Sequence, residues 1–235
     1  EEIWRGRLET IYEGLLRANP DYLAISYSAV STPEKGDEVR SNDGVEIVRV
    51  ERNISDAAYV RRVPASRLGE YPDLQLVTST TALPAGEILL TIREPSSQEG
   101  AESLADLSRQ SVRLIASTPV YDDATGSLFG IVAVEMNLLA HLVDVVEAFE
   151  QRNSTIYITN NQGDIWITDD PVEGVDFENR QSDVADHVPG TAAFFADAQQ
   201  NLQLDRSAGW IASRVTPDAA NPNTKVGVIL QLHTD

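Results

Sequence analysis

The sequence contains no cysteine, which excludes disulfides, thiolate zinc sites and cysteine nucleophiles. Histidine is scarce. His141, His187 and His233 are the whole set, and no local spacing joins them into a metal site or a catalytic triad. No run of about 18 apolar residues occurs, so no segment reads as a membrane span, and no segment reads as a signal peptide. Basic residues are outnumbered, 18 Lys and Arg against 37 Asp and Glu, for a net charge of −19. A surface this negative repels nucleic acid and anionic lipid and keeps a chain soluble. The G-x-S-x-G elbow, the H-E-x-x-H helix, the phosphate-binding loop and the dinucleotide fingerprint are all missing. No cofactor, no metal and no catalytic residue is therefore expected.

What remains is an ordinary globular composition: 42% hydrophobic residues over 235 positions, enough to fill one large core or two small ones. The chain opens at Glu1 inside a helical pattern and its one methionine is Met136, so it is expected to be an excised fragment. Residues 1–18 read as a helix with Trp4, Leu8, Ile11 and Leu15 on one stripe. Asn19-Pro20 stops it, because the Pro20 ring cannot continue the ladder. Strands follow at 22–30 and 45–52, joined through a turn at Asn42-Asp43-Gly44. Residues 55–83 read as short helix and loop, 86–94 as a strand, and 95–111 as a long polar loop. "VRLIASTPVYD" and "SLFGIVAVEMNL" form a hairpin around Asp122, Asp123 and Gly126, and a helix is expected at 138–152. The pattern then restarts: a second hairpin around Asn160-Asn161-Gln162-Gly163, a polar stretch at 169–190, a short helix within 191–200, and a closing strand pair, "GWIASRVTP" and "KVGVILQL".

Two groups of residues offer chemistry. Asp164, Asp169 and Asp170 suggest either a paired-carboxylate hydrolase site or a calcium site, but they lack the ligand spacing of an EF-hand loop; turn and strand-end polarity is the plain alternative. The second group is a set of arginines on strands: Arg49 and Arg52 on one, Arg93 ending another, Arg113 beginning a third. A guanidinium holds a carboxylate or phosphate through a planar fork. On "VEIVRVER" the alternation places Arg49 with Val45 and Ile47, and Arg93 shares its face with Leu89 and Thr91. Tyr59 and Tyr121 add hydroxyls. The expected ligand is a small anion, an organic acid or an amino acid, held in the first strand set with Arg49 central and the segments 53–85 and 95–111 as cover. The alternative is that these arginines pair with the abundant carboxylates.

Four stretches resemble the double PDC, or double Cache, domain, the tandem PAS-like extracytoplasmic sensor of bacterial membrane receptors. They are "YLAISYSAV" with "NDGVEIVRVER", "LPAGEILLTIRE", "RLIASTPVYDDATGSLFGIVAVEMNL" and "IYITNNQGDIWITDDP". Thr168 stands where that family often has a histidine. The resemblance implies an α+β chain: a signalling helix at 1–20, a first, membrane-distal unit at 21–138, a connecting helix at 139–152, and a second, membrane-proximal unit at 153–235. Each unit would be a central antiparallel sheet flanked by helices. It further implies the periplasmic part of an inner-membrane receptor, most simply a sensor histidine kinase, with a diguanylate cyclase or chemoreceptor as other outputs. The chain would have no enzymatic activity of its own. Its tethers would be membrane segments outside this sequence, and it would form a weak homodimer through the N-terminal helix, where Ile3 and Leu16 lie off the main stripe. A secreted carbohydrate-active hydrolase or binding protein built on Asp164, Asp169 and Asp170 is the alternative from another class.

Overall fold

The computed structural model of the chain describes residues 2–30, 44–53, 58–69, 74–94, 112–148, 153–169, 183–218 and 224–233. The chain divides into two compact units, Glu1–Asn137 and Leu138–Asp235. The first contains helix α1 (Glu2–Ala18), strands β1 (Tyr22–Val30), β2 (Gly44–Arg52) and β3 (Val60–Arg62), helix α2 (Leu74–Thr81), and strands β4 (Leu89–Arg93), β5 (Arg113–Tyr121) and β6 (Leu128–Asn137). The second contains helix α3 (Leu138–Ala148), β7 (Ser154–Thr159), β8 (Ile165–Thr168), the short helices α4 (Val184–His187) and α5 (Thr191–Ala196), and β9 (Leu202–Asp205), β10 (Trp210–Val215) and β11 (Val226–Leu232). The α+β architecture implied by the resemblance is the one found.

Both sheets are antiparallel and follow one topology. The first runs β3-β2-β1-β6-β5-β4 and the second β8-β7-β11-β10-β9. With β3 set aside, the two orders are the same: the last strand of each unit inserts beside its first. The short strands β3 and β9 and the four-residue α4 carry too few residues for periodicity to reveal them, and only the structure shows them.

Helix α1 ends as the sequence dictates, with the Asn19 amide N–H and side chain both donating to the Leu15 carbonyl. Its roll differs from expectation. Tyr12 and Leu16 are buried against the sheet, Leu16 completely, while Ile11 and Leu15 are 55% and 44% exposed. The buried row is Trp4, Leu8, Tyr12 and Leu16. Arg62 of β3 explains the roll: it reaches Glu9, Thr10 and Glu13 and holds that flank of the helix down. Leu16 is therefore core, and the outward apolar residues are Ile3, Ile11 and Leu15.

Each face of the first sheet has its own core. Tyr12, Leu16, Ile25, Tyr27, Val48, Val50 and Val60 pack beneath α1. Val30, Leu76, Val77, Leu89, Ile115, Ile131 and Ala133 pack beneath α2. The β5–β6 turn closes as expected: the Asp122 carboxylate accepts from the Ala124 and Thr125 amides, and Gly126 takes a φ of 67°. Gly130 is required by its neighbour, since a Cβ there would lie 2.4 Å from the Ser28 carbonyl oxygen and 2.6 Å from the Tyr27 hydroxyl. The Asn42-Asp43 turn and the 95–111 loop lie outside the described residues.

Candidate functional site

The α2 side of the first sheet is built around small residues. On β1 this face carries Ala24, Ser26 and Ser28, all buried. Strands lie about 4.8 Å apart, so side chains from β2 and β6 meet over these small residues, across the width of β1. A bulge decides which residues of β2 take part. Tyr27 pairs with Val48 and Ser28 with Glu46, so Ile47 is the extra residue. The register shift puts Val45 on the α1 side and Glu46 on the face of Arg49 and Glu51. Arg49 thus keeps company with acids, in place of the Val45 and Ile47 expected from simple alternation.

Glu135 of β6 is the centre of this face and is 2% exposed. Arg49 Nη1 donates to its Oε1 at 2.8 Å and Arg113 Nη1 to its Oε2 at 2.5 Å. Arg49 also reaches Glu51 at 3.2 Å and Glu46 at 3.4 Å. Burial pushes the Glu135 carboxyl upward, but the Arg49 and Arg113 charges and hydrogen bonds outweigh it and hold the group at about 2. Burial raises the Glu46 carboxyl above its ordinary value. The Ser28 hydroxyl is buried with no hydrogen-bond partner among the described residues. Toward α2 the face becomes apolar, closed by Leu76, Val77 and a Thr80–Ser117 hydroxyl pair at 2.6 Å.

The expected site residues divide. Arg49 and Arg113 converge on Glu135, and Arg93 is the cross-strand neighbour of Arg113, on the same face as Leu89 and Thr91. Arg52 lies on the opposite face, donating to the main-chain carbonyls of Leu16, Asn19 and Tyr22 and so capping the end of α1. Tyr121 sits at the far end of β5 from Arg113, its hydroxyl donating to the Leu83 carbonyl. Tyr59 is exposed beside β3. Glu135 was missed, although its signal is plain: alternation along β6 puts an acid in line with the core residues Ile131 and Ala133, and a buried carboxylate requires cationic partners.

The two described aspartates of the group, Asp164 and Asp169, do not come together. Asp169 accepts from the Ile156 amide at 2.7 Å and Asp164 from the Asn160 side chain at 2.6 Å. All of β8 separates them, roughly 16 Å of extended chain, more than a glycosidase carboxylate pair spans. Asp170 lies outside the described residues. Among the described residues no three His, Asp or Glu side chains gather as a metal site.

The second unit treats its corresponding face differently. Tyr157, Phe194 and Trp210 fill it, with Val184, Val188 and Ile229. Its buried charge, Arg214, is 5% exposed and donates to the carbonyls of Phe195, Asp197 and Gln200 while lying over the Phe194 and Phe195 rings.

No family model and no curated protein matches the chain. Solved structures do. A domain of a sensory box/GGDEF family protein from Vibrio parahaemolyticus matches with a TM-score of 0.61 at 12% identity, over 100% of this chain and 80% of that one. The extracellular domain of vpHK1S-Z8, described as a histidine kinase, matches with a TM-score of 0.62 at 13% identity, over 99% and 78%. Methyl-accepting chemotaxis protein X matches with a TM-score of 0.53 at 13% identity, over 97% and 81%. At these identities the likeness is one of fold: the chain shares the architecture of these sensory and extracellular domains.

Proposed function

We propose that the chain is the extracytoplasmic sensing domain of a transmembrane signalling receptor, most simply a two-component histidine kinase, tethered by segments outside this sequence and passing a conformational change to a cytoplasmic output module. It catalyses nothing itself. The ligand site is the α2-side face of the first unit. One observation carries this: Glu135 is buried between Arg49 and Arg113 above Ala24, Ser26 and Ser28, where the second unit is filled by aromatic rings. Small side chains on β1 let charged groups from β2, β5 and β6 meet over it, and buried charges of both signs supply directional partners.

The acids refine the ligand. Arg49 and Arg113 face three carboxylates, Glu46, Glu51 and Glu135, so a bare anion meets more acidic groups than basic ones. An amino acid, carrying both charges, fits better than a simple organic acid. A thermal-shift screen of amino acids, organic acids and phosphates tests the reading. A true ligand at 100-fold its dissociation constant stabilises the fold by about 2.7 kcal/mol, and hydrogen exchange should then slow along β2, β5 and β6. Protection confined to residues 153–233 would refute the placement.

Self-association through α1 completes the proposal. Ile3, Ile11 and Leu15 offer an outward apolar edge, and tethering in a membrane would raise the effective concentration. Sedimentation of the free chain should show a weak dimer that Ile11→Glu abolishes; a tight dimer indifferent to that change argues against it.

A further inference from the structure

We propose that the second unit carries a separate site for a small alkylammonium ligand, in the depression between the β7–β8 turn and α5. This depression has a volume of about 360 Å³ and is lined by Asn161, Gln162, Asp183, Ala192, Phe195 and Ala196. It is distinct from the charged face of the first unit, and the inference stands without that reading.

The walls are fixed by the local sequence. The Asn160 side-chain oxygen accepts from the amides of Gln162, Gly163 and Asp164, which locks the turn. Gly163, at a φ of 106°, leaves the space a side chain would take: a Cβ there would stand 3.2 Å from both Asp183 Oδ1 and the Phe195 ring. A Cβ on Gly227 would stand 3.1 Å from the same ring. Phe195 therefore rests on two glycine backbones, with Phe194 edge-on to it at 5.1 Å. Ala192 and Ala196 flank Phe195 on one face of α5, so this wall is apolar and stiff.

The polar rim is composed for a donor. The Asn161 side-chain oxygen is buried and has no hydrogen-bond partner among the described residues. The Asp183 carboxylate stands at the same rim and accepts from the Ala185 amide at 2.8 Å. The neighbouring cation, Arg214, turns its terminal N–H groups to the carbonyls of Asn161, Phe195, Asp197 and Gln200. An ammonium group faces Asp183 and, with a turn of the Asn161 side chain toward the depression, satisfies the orphaned acceptor, while its alkyl chain lies along Phe195 and the alanine methyls. Arg214 already lies over the Phe195 ring, 5.3 Å from its centre, so Asp183 and the net charge of −19 draw the cation.

The test uses the whole chain labelled with nitrogen-15, titrated with n-butylammonium chloride, with sodium butyrate and n-butanol as controls. The expected result is saturable amide shifts at Gln162, Gly163, Asp183, Ala192 and Ala196 with the amine and none with butyrate. Asn161→Ala and Asp183→Asn each weaken binding about tenfold or more. Since Asp183 also caps α4, Ala196→Trp serves as the decisive variant: this exposed position tolerates a large side chain, which fills the depression and removes the amine response. Shifts that butyrate reproduces, shifts elsewhere in the chain, an absent response, or undiminished binding in Ala196→Trp would each overturn the assignment.

Discussion

The two units fold one topology around opposite interiors. On the last strand of each unit the inner face carries a polar residue near its end: Glu135 in the first unit, Gln231 in the second. Glu135 is clamped by two guanidinium groups over a floor of alanine and serine. Gln231 accepts from the Tyr157 hydroxyl at 3.4 Å beside Trp210 and Ile229. The strand order fixes where an interior lies, and side-chain volume decides whether it is filled. The second interior is finished by its own aromatic rings; the first is held together by charge.

The largest effects should separate the units cleanly. Glu135→Ala leaves Arg49 and Arg113 buried without their shared partner and should cost about 3–5 kcal/mol. Trp210→Ala, which opens a cavity, should cost about 3–5 kcal/mol as well. Hydrogen exchange read unit by unit should place the first loss in residues 2–137 and the second in 138–233. Gln231→Ala, losing one neutral hydrogen bond, should cost only about 1 kcal/mol. A loss as large as that of Glu135→Ala would erase the distinction.

Acid should reveal the same asymmetry. The Glu135 carboxyl ordinarily titrates at 4.5 and is held at about 2 in the folded chain. Its contribution is whole above 4.5 and disappears as the pH falls through about 2. Glu46 works in the other sense: its raised value favours the protonated folded form, a contribution present below 4.5 and lost as the pH rises through that raised value. The first unit should hold steady or gain slightly on mild acidification and then lose stability below pH 4.5. Glu135→Gln should flatten that loss when melting is followed against pH. The inner face of the second unit presents Tyr157, Gln231, Trp210 and Arg214, so its acid response rests on exposed rim groups such as Asp205.

The smallest contrast is the difference between two glycines near the starts of the last strands. Alanine at Gly130 meets the Ser28 main-chain oxygen at 2.4 Å, whereas alanine at Gly227 meets the Thr159 hydroxyl at 2.3 Å and the Phe195 ring at 3.1 Å. Overpacking costs about 1–3 kcal/mol. Gly130→Ala should be the worse of the two in chemical denaturation, because backbone yields less than a side chain.

Much of the fold was legible in the sequence. Asp122 with Gly126, and Asn160 with Gly163, announce their hairpins because turns demand those residues. The roll of α1 was not legible, since Ile11 and Tyr12 are adjacent and equally suited to burial; Arg62, distant in sequence, decides between them. The arginines of the site were legible as a group on strands. Their division between faces was not, because Arg52 and Arg49 part company only once β2 is laid against β1 and α1. Glu135 was in plain view within "FGIVAVEMNL", but its pairing with Arg49, 86 residues away, arises only when β6 and β2 are laid on either side of β1.

The bulge at Ile47 has an evolutionary consequence. Losing one residue from a strand usually turns part of it over, but Ile47 is the extra residue here, so its loss would restore plain alternation and leave Val45 on the α1 side and Glu46 on the face of Arg49. Among related sequences, a single-position gap at this point should therefore leave the acid at 46 and the base at 49 in place. The middle of β2 is thus a place where relatives can differ in length and keep the charged interior.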